Sequence, residues 1–180
     1  MSKQNSLRPD RIRTYFISMR VLDESFTYLK RYGKKRYEGY MCWGGVVVKG
    51  KDALIRSCIF PKAYKRSGFR SVHAGLDLRV VYEIGNEVYS RGEFLFAQLH
   101  THGFEAFHSS VDDTYPISHK SGFISIVIPY FAKSKFYDDT TLTDCSVNES
   151  LGGGRWRELD PFELRQRFRV VGAAKDEHQR

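Results

Sequence analysis

Leu76, Val80, Ile84 and Val88 recur at every fourth residue among polar neighbours, a spacing that lays one apolar stripe along a helix over about 76–89. An earlier stretch, about 21–32, sets Leu22, Phe26 and Leu29 on one face, with basic residues in its last turn and Gly33 as terminator. Two strands are predicted over 44–48 and 53–60, joined by the turn-like Lys49, Gly50, Lys51 and Asp52 and ended by Pro61. The short apolar runs 94–100 (FLFAQLH) and 123–128 (FISIVI) fit strands buried on both faces. Asp160, Pro161 and Glu163 form an N-cap, a first-turn proline and a capping-box partner for a short helix through Phe168. The polar segments 62–75 and 133–154 read as loops or insertions, and about 1–12 as an N-terminal extension. The order helix, hairpin, helix, central strands, small helix predicts a mixed α/β (α+β) fold: one domain with a sheet flanked by helices.

Composition narrows the class. A chain of 180 residues that is 41% hydrophobic and 28% charged can bury a core without a disulfide framework or a folding metal. No apolar run approaches the ~18 residues of a membrane span, and the start, MSKQNSLRPDRIR, has no apolar core for a secretory signal, so no membrane contact and a cytoplasmic location are expected. Cys42, Cys58 and Cys145 are far apart with no C-x-x-C spacing, which fits reduced, buried thiols. The net charge of +8 raises the question of nucleic acid. Much of the excess sits at Arg8, Arg11 and Arg13, at Lys30 to Arg36, and at Lys62 to Arg70, with no nucleic-acid motif among them. A solvated basic face is the plainer account, ahead of phosphate binding or docking of an acidic protein.

The residues that carry chemistry follow the first buried strand: His100, Thr101, His102, then Ser110 and Asp113. Alternate side chains of an extended chain share a face, so His100 and His102 can offer two imidazole nitrogens to one ion. Ser110 and Asp113 have the spacing that stacks side chains on one helical turn, and Pro116 limits that turn. Two histidines and a carboxylate leave one tetrahedral position open, the arrangement of catalytic zinc. An isolated H-x-H pair is most often a hydrogen-bonded pair; it is the added serine and aspartate that make the pattern specific. Phe104 and Glu105 break the HxHxDH pattern of another metallohydrolase group. His73, His108, His119 and His178 have no ligand spacing and read as surface or packing residues.

H-x-H, seven residues, then S-x-x-D, with a glutamate upstream, resembles the JAMM signature of JAB/MPN-domain zinc metalloproteases, and a chain this small resembles their stand-alone bacterial members. The resemblance implies a cytidine-deaminase-like sheet flanked by helices and one zinc ion on His100, His102 and Asp113. It also implies Glu38, in EGYMCWGG, as general base and Ser110 as donor to the oxyanion. Without the resemblance Glu38 would be a surface glutamate beside Arg36, and Ser110 an N-cap. Gly103 departs from the proline usual there. The implied activity is cleavage after the diglycine tail of a ubiquitin-like protein, by deconjugation or precursor processing. The setting implied is a bacterial conjugation pathway, including antiphage ones, with ubiquitin-activating and ubiquitin-conjugating-type enzymes as further partners. A catalytically silent module of the same family and a basic nucleic-acid-binding protein are the competing readings.

Overall fold

The computed structural model describes residues 12–62, 78–108 and 116–172. β1 (Thr14–Ser18) runs directly into α1 (Met19–Gly33), and the β2–β3 hairpin (Tyr40–Lys49, Asp52–Ile59) follows. Next come α2 (Leu78–Ser90), β4 (Phe94–Thr101) and β5 (Ile124–Ile128), then a 3-10 turn at Tyr130–Ala132. β6 (Ser146–Gly152), β7 (Arg155–Glu158), α3 (Pro161–Arg167) and β8 (Phe168–Val171) follow among the described residues. The strands form one mixed sheet in the order β7-β6-β5-β4-β2-β3-β1-β8. β2 is antiparallel to both β3 and β4, whereas β4 and β5 are parallel and need a crossover.

The two faces of β2 are covered by different helices. Met41 and Trp43 belong with Leu99, Ile124 and Ile126 to the core that holds Val21, Leu22 and Leu29 of α1. Burial of each such aliphatic side chain stabilises by roughly 1.5–3 kcal/mol. The indole Nε1 of Trp43 donates to Ser25 Oγ (2.9 Å), which donates to the Val21 carbonyl (2.7 Å), so the polar atoms under α1 are satisfied. On the opposite face Tyr40, Cys42 and Ile59 receive Val80, Ile84 and Val88, the apolar stripe of α2.

The predicted elements are present with altered limits. α1 starts earlier than the apolar pattern, at an N-cap where Ser18 Oγ accepts from Val21 N (3.3 Å). β2 begins at Tyr40, and Gly44–Gly45 mark a bulge inside it rather than its start. Asp160 caps α3 as predicted: Oδ1 accepts from Phe162 N (2.8 Å) and Glu163 N (2.9 Å), and Glu163 answers to Asp160 N. Gly33 ends α1, though without the left-handed φ of a glycine cap; a Cβ there would fall onto the Phe131 carbonyl.

The loop expected over 133–154 is corrected, because β6 lies within it. Of its four buried residues Val147 alone is apolar and Ser146, Asn148 and Ser150 are polar, so no apolar alternation announces the strand. They belong to a buried polar layer in which Asn148 Nδ2 donates to Ser146 Oγ (2.9 Å) and Ser146 Oγ to Glu158 (2.7 Å). The segment expected as an insertion over 62–75 lies, from residue 63 on, outside the described residues, as do residues 1–11 of the expected extension. All three cysteines are free thiols, and burial pushes each up to about 12. Among the described residues no helix is long and apolar enough to cross a membrane.

Candidate metal centre

His100 is paired across the β2–β4 ladder with Tyr40, and Gln98 with Cys42, so these side chains share the face on which α2 packs. The ladder runs one step past the strand ends: Gly39 N donates to Thr101 Oγ1 (2.8 Å) and Thr101 N to the Gly39 carbonyl (3.0 Å). Glu38, more than sixty positions from the histidine pair in sequence, is the residue just before Gly39 and so lies next to the segment tied to the end of the histidine strand.

The imidazoles converge. His100 Nε2 lies 3.2 Å from His102 Nε2, and both residues are buried, 8% and 7% exposed. Two nitrogens bound to one tetrahedral zinc at the usual bond length stand about 3.3 Å apart, so the pair has the spacing of two ligands on a common ion. At this separation facing lone pairs repel unless a proton or a cation is shared between them, and the donor set therefore fits zinc. The Phe107 ring packs edge-on against His102 at 5.1 Å between centroids and walls one side.

The remaining ligand expected from the motif, Asp113, and Ser110 lie outside the described residues, and among the described residues no group of three metal-binding side chains occurs. Their segment is nevertheless bracketed. Ile117 packs beside Tyr40 and the α2 stripe, and its N–H donates to Gln98 Oε1 (3.0 Å), so the crossover rejoins the protein on the face that carries His100. At the other end His108 rests against Trp156 of β7, 4.8 Å between ring centroids. His119 is exposed, while His73 and His178 lie outside the described residues.

Gln98 supports this face from below. It accepts from Tyr40 OH (3.3 Å) and Ile117 N, and its Nε2 donates to Ser125 Oγ (3.1 Å) on β5. Sequence reasoning did not single out Gln98, Phe107 or Phe131; a buried amide inside an apolar run was the one signal available. A cleft of about 1340 Å³ opens between α1, the end of β3 and α2, lined by Tyr28, Phe60 and Tyr82 among others. It shares no residue with the histidine pair.

No protein-family model matches the chain. Over 125 residues the sequence is 26% identical to "Probable metalloprotease y4jG" of Sinorhizobium fredii, which spans 69% of this chain and 76% of that protein. The fold is similar to the solution structure of protein DSY2949 from Desulfitobacterium hafniense, with a TM-score of 0.62 and 13% identity over 93% of this chain and 99% of that one. The crystal structure of AF2198, a JAB1/MPN domain protein from Archaeoglobus fulgidus, gives a TM-score of 0.47 at 13% identity, over 88% and 97% of the two chains. The described residues form a mixed α+β fold, an eight-stranded sheet with three helices among them. The curated relative, similar over about two thirds of this chain, is described as a probable metalloprotease.

Proposed function

We propose that the protein is a zinc-dependent JAMM-type metalloprotease that cuts after the C-terminal diglycine of a ubiquitin-like protein. The observation that carries this reading is the 3.2 Å approach of His100 Nε2 to His102 Nε2 at the end of β4, whose Thr101 is hydrogen-bonded to Gly39, the neighbour of Glu38. The description of the curated relative as a metalloprotease supports the reaction class. His100 and His102 would hold the zinc with Asp113. Once bound, the ion supplies Lewis acidity and brings the pKa of its water near neutrality.

The chain's own residues do the rest. Glu38 takes a proton from the attacking water and returns it to the departing amine, so the peptide bond breaks with its nitrogen neutral. Ser110 donates to the oxygen on which negative charge gathers. Diglycine suits such a site because a tail without side chains can lie extended and be held by backbone hydrogen bonds. The setting we propose is a bacterial ubiquitin-like conjugation pathway, including antiphage ones, with activating- and conjugating-type enzymes as its other components.

The test joins a ubiquitin-like protein through its diglycine to a reporter. The native protein with zinc should release the reporter at the diglycine, and Glu38→Gln should not, while still binding zinc. Equal release by both proteins would remove Glu38 as the base, and no release by the native protein with zinc bound would remove the protease reading. Absence of release together with absence of zinc binding would leave a silent module.

A further inference from the structure

Tyr130, Phe131 and Ala132 adopt φ of 51°, 56° and 53°, three successive non-glycine residues in left-handed backbone. L side chains disfavour that region, and such a turn persists only where its surroundings over-determine it. The surroundings here are the exit from the histidine strand. His102 N donates to the Ile128 carbonyl (2.9 Å), Phe131 N donates to the His102 carbonyl (2.8 Å), and Tyr130 N donates to the Phe104 carbonyl (2.8 Å). Both backbone polar groups of His102 are thus tied to the end of β5 and the turn that follows.

Two glycines fit around Phe131. At Gly33, the last residue of α1, an added Cβ would meet the Phe131 carbonyl, and Phe131 Cβ would lie 2.8 Å away. At Gly103 an added Cβ would lie 2.7 Å from Phe131 Cζ and 3.1 Å from Cε2. The backbone of Gly103 is not left-handed, so a larger residue is excluded there by the ring alone. Gly33 lets the Phe131 backbone lie close against α1, and a side chain at position 103 would have to turn the ring from its place.

We infer that Phe131 is a positioning residue for His102: the strained turn and its ring fix the His102–Gly103 backbone so that the His102 imidazole meets that of His100. The inference deepens the proposed metal reading and rests on it for its consequence, whereas the geometry itself belongs to the metal-free chain. It reaches the histidine from a separate stretch of sequence, so removing the ring leaves both imidazoles in the chain and changes only where one of them points.

The experiment compares the native protein with Phe131→Ala, Gly103→Ala and the double variant, each checked for native circular dichroism. In metal-free protein the nuclear Overhauser contact between the His100 and His102 rings should be present in the native chain and lost in each single variant. Zinc affinity, read by competition with a chromophoric chelator, should fall about 10–100-fold in each single variant. In the double variant the added methyl group finds the space the ring has left, so the Gly103→Ala penalty should shrink in the Phe131→Ala background. Retention of the ring contact and of native zinc affinity by Phe131→Ala overturns the positioning role. So do strictly additive losses in the double variant. Failure of the native protein to bind zinc, with the ring contact still dependent on Phe131, overturns the metal reading and leaves the positioning role standing.

Discussion

Gly39, the neighbour of Glu38, is tied to Thr101 on the histidine strand by two hydrogen bonds, one to its side chain and one from its backbone, which bring the approach to β2 against the end of β4. On the proposed function the carboxylate serves only to carry a proton, so Glu38→Gln should lower cleavage by about 10²–10⁴-fold and leave zinc affinity unchanged, as kcat and chelator competition would show. Loss of zinc together with activity would assign Glu38 to the ligand set instead. Gly103 is explained by space, since the Phe131 ring from another segment lies where its side chain would be. The thiols make a second residue-scale prediction. Burial pushes Cys42 up to about 12, so it should resist iodoacetamide at pH 8 in the folded protein and react once the chain is unfolded by denaturant. Rapid native-state labelling at Cys42 would contradict its burial beneath α2.

At the scale of elements, α3 depends on a local signal and a distant one. The local signal is its capping box: Asp160→Ala should cost about 1 kcal/mol, measured as a lower denaturation midpoint with an unchanged m-value. The distant signal is Glu149 of β6, which accepts from Arg167 of α3 (2.7 Å) and from Arg157 of β7 (3.1 Å). Burial would raise the Glu149 carboxyl, but its hydrogen bonds and charge pairing with Arg167 and Arg157 outweigh this and hold it below its ordinary 4.5. A carboxyl lowered in the folded state contributes stability above its unfolded pKa and loses it as pH falls through the folded one. The native protein should therefore lose stability below about pH 4.5 more steeply than Glu149→Gln, by urea unfolding from pH 6 to 3. Parallel profiles would show that the pair contributes nothing net. α3 was legible because capping chemistry is local, whereas β6 and β7 were not: Ser146, Asn148 and Ser150 face a polar layer, and the partners that make them strand residues lie on other segments.

For the molecule as a whole, the helices that cover the sheet were readable from one-face periodicity, and β4 and β5 from unbroken apolar runs. β1 and β8 were hidden because each abuts a helix with no turn residue between, β1 leading into α1 at Ser18 and β8 leaving α3 at Phe168. The histidine pair was legible because two alternate positions on one strand share a face whatever the rest of the chain does. Phe131 was not, since its role depends on where Gly33 and Gly103 come to lie. Zinc should bind only the folded arrangement, so its removal by a chelator should abolish cleavage and lower the melting temperature. Free zinc at a hundred times its dissociation constant should restore about 2.7 kcal/mol of stability. An unchanged melting temperature would mean that no folded site recognises the metal.

The most direct test is a crystal of the zinc-soaked protein measured at the zinc absorption edge. One anomalous peak is expected between His100 and His102, about 2.1 Å from each Nε2 and in contact with the Asp113 carboxylate. Density that shows the two imidazoles bonded only to each other or to water, with no peak between them under saturating zinc, would contradict the metalloprotease account.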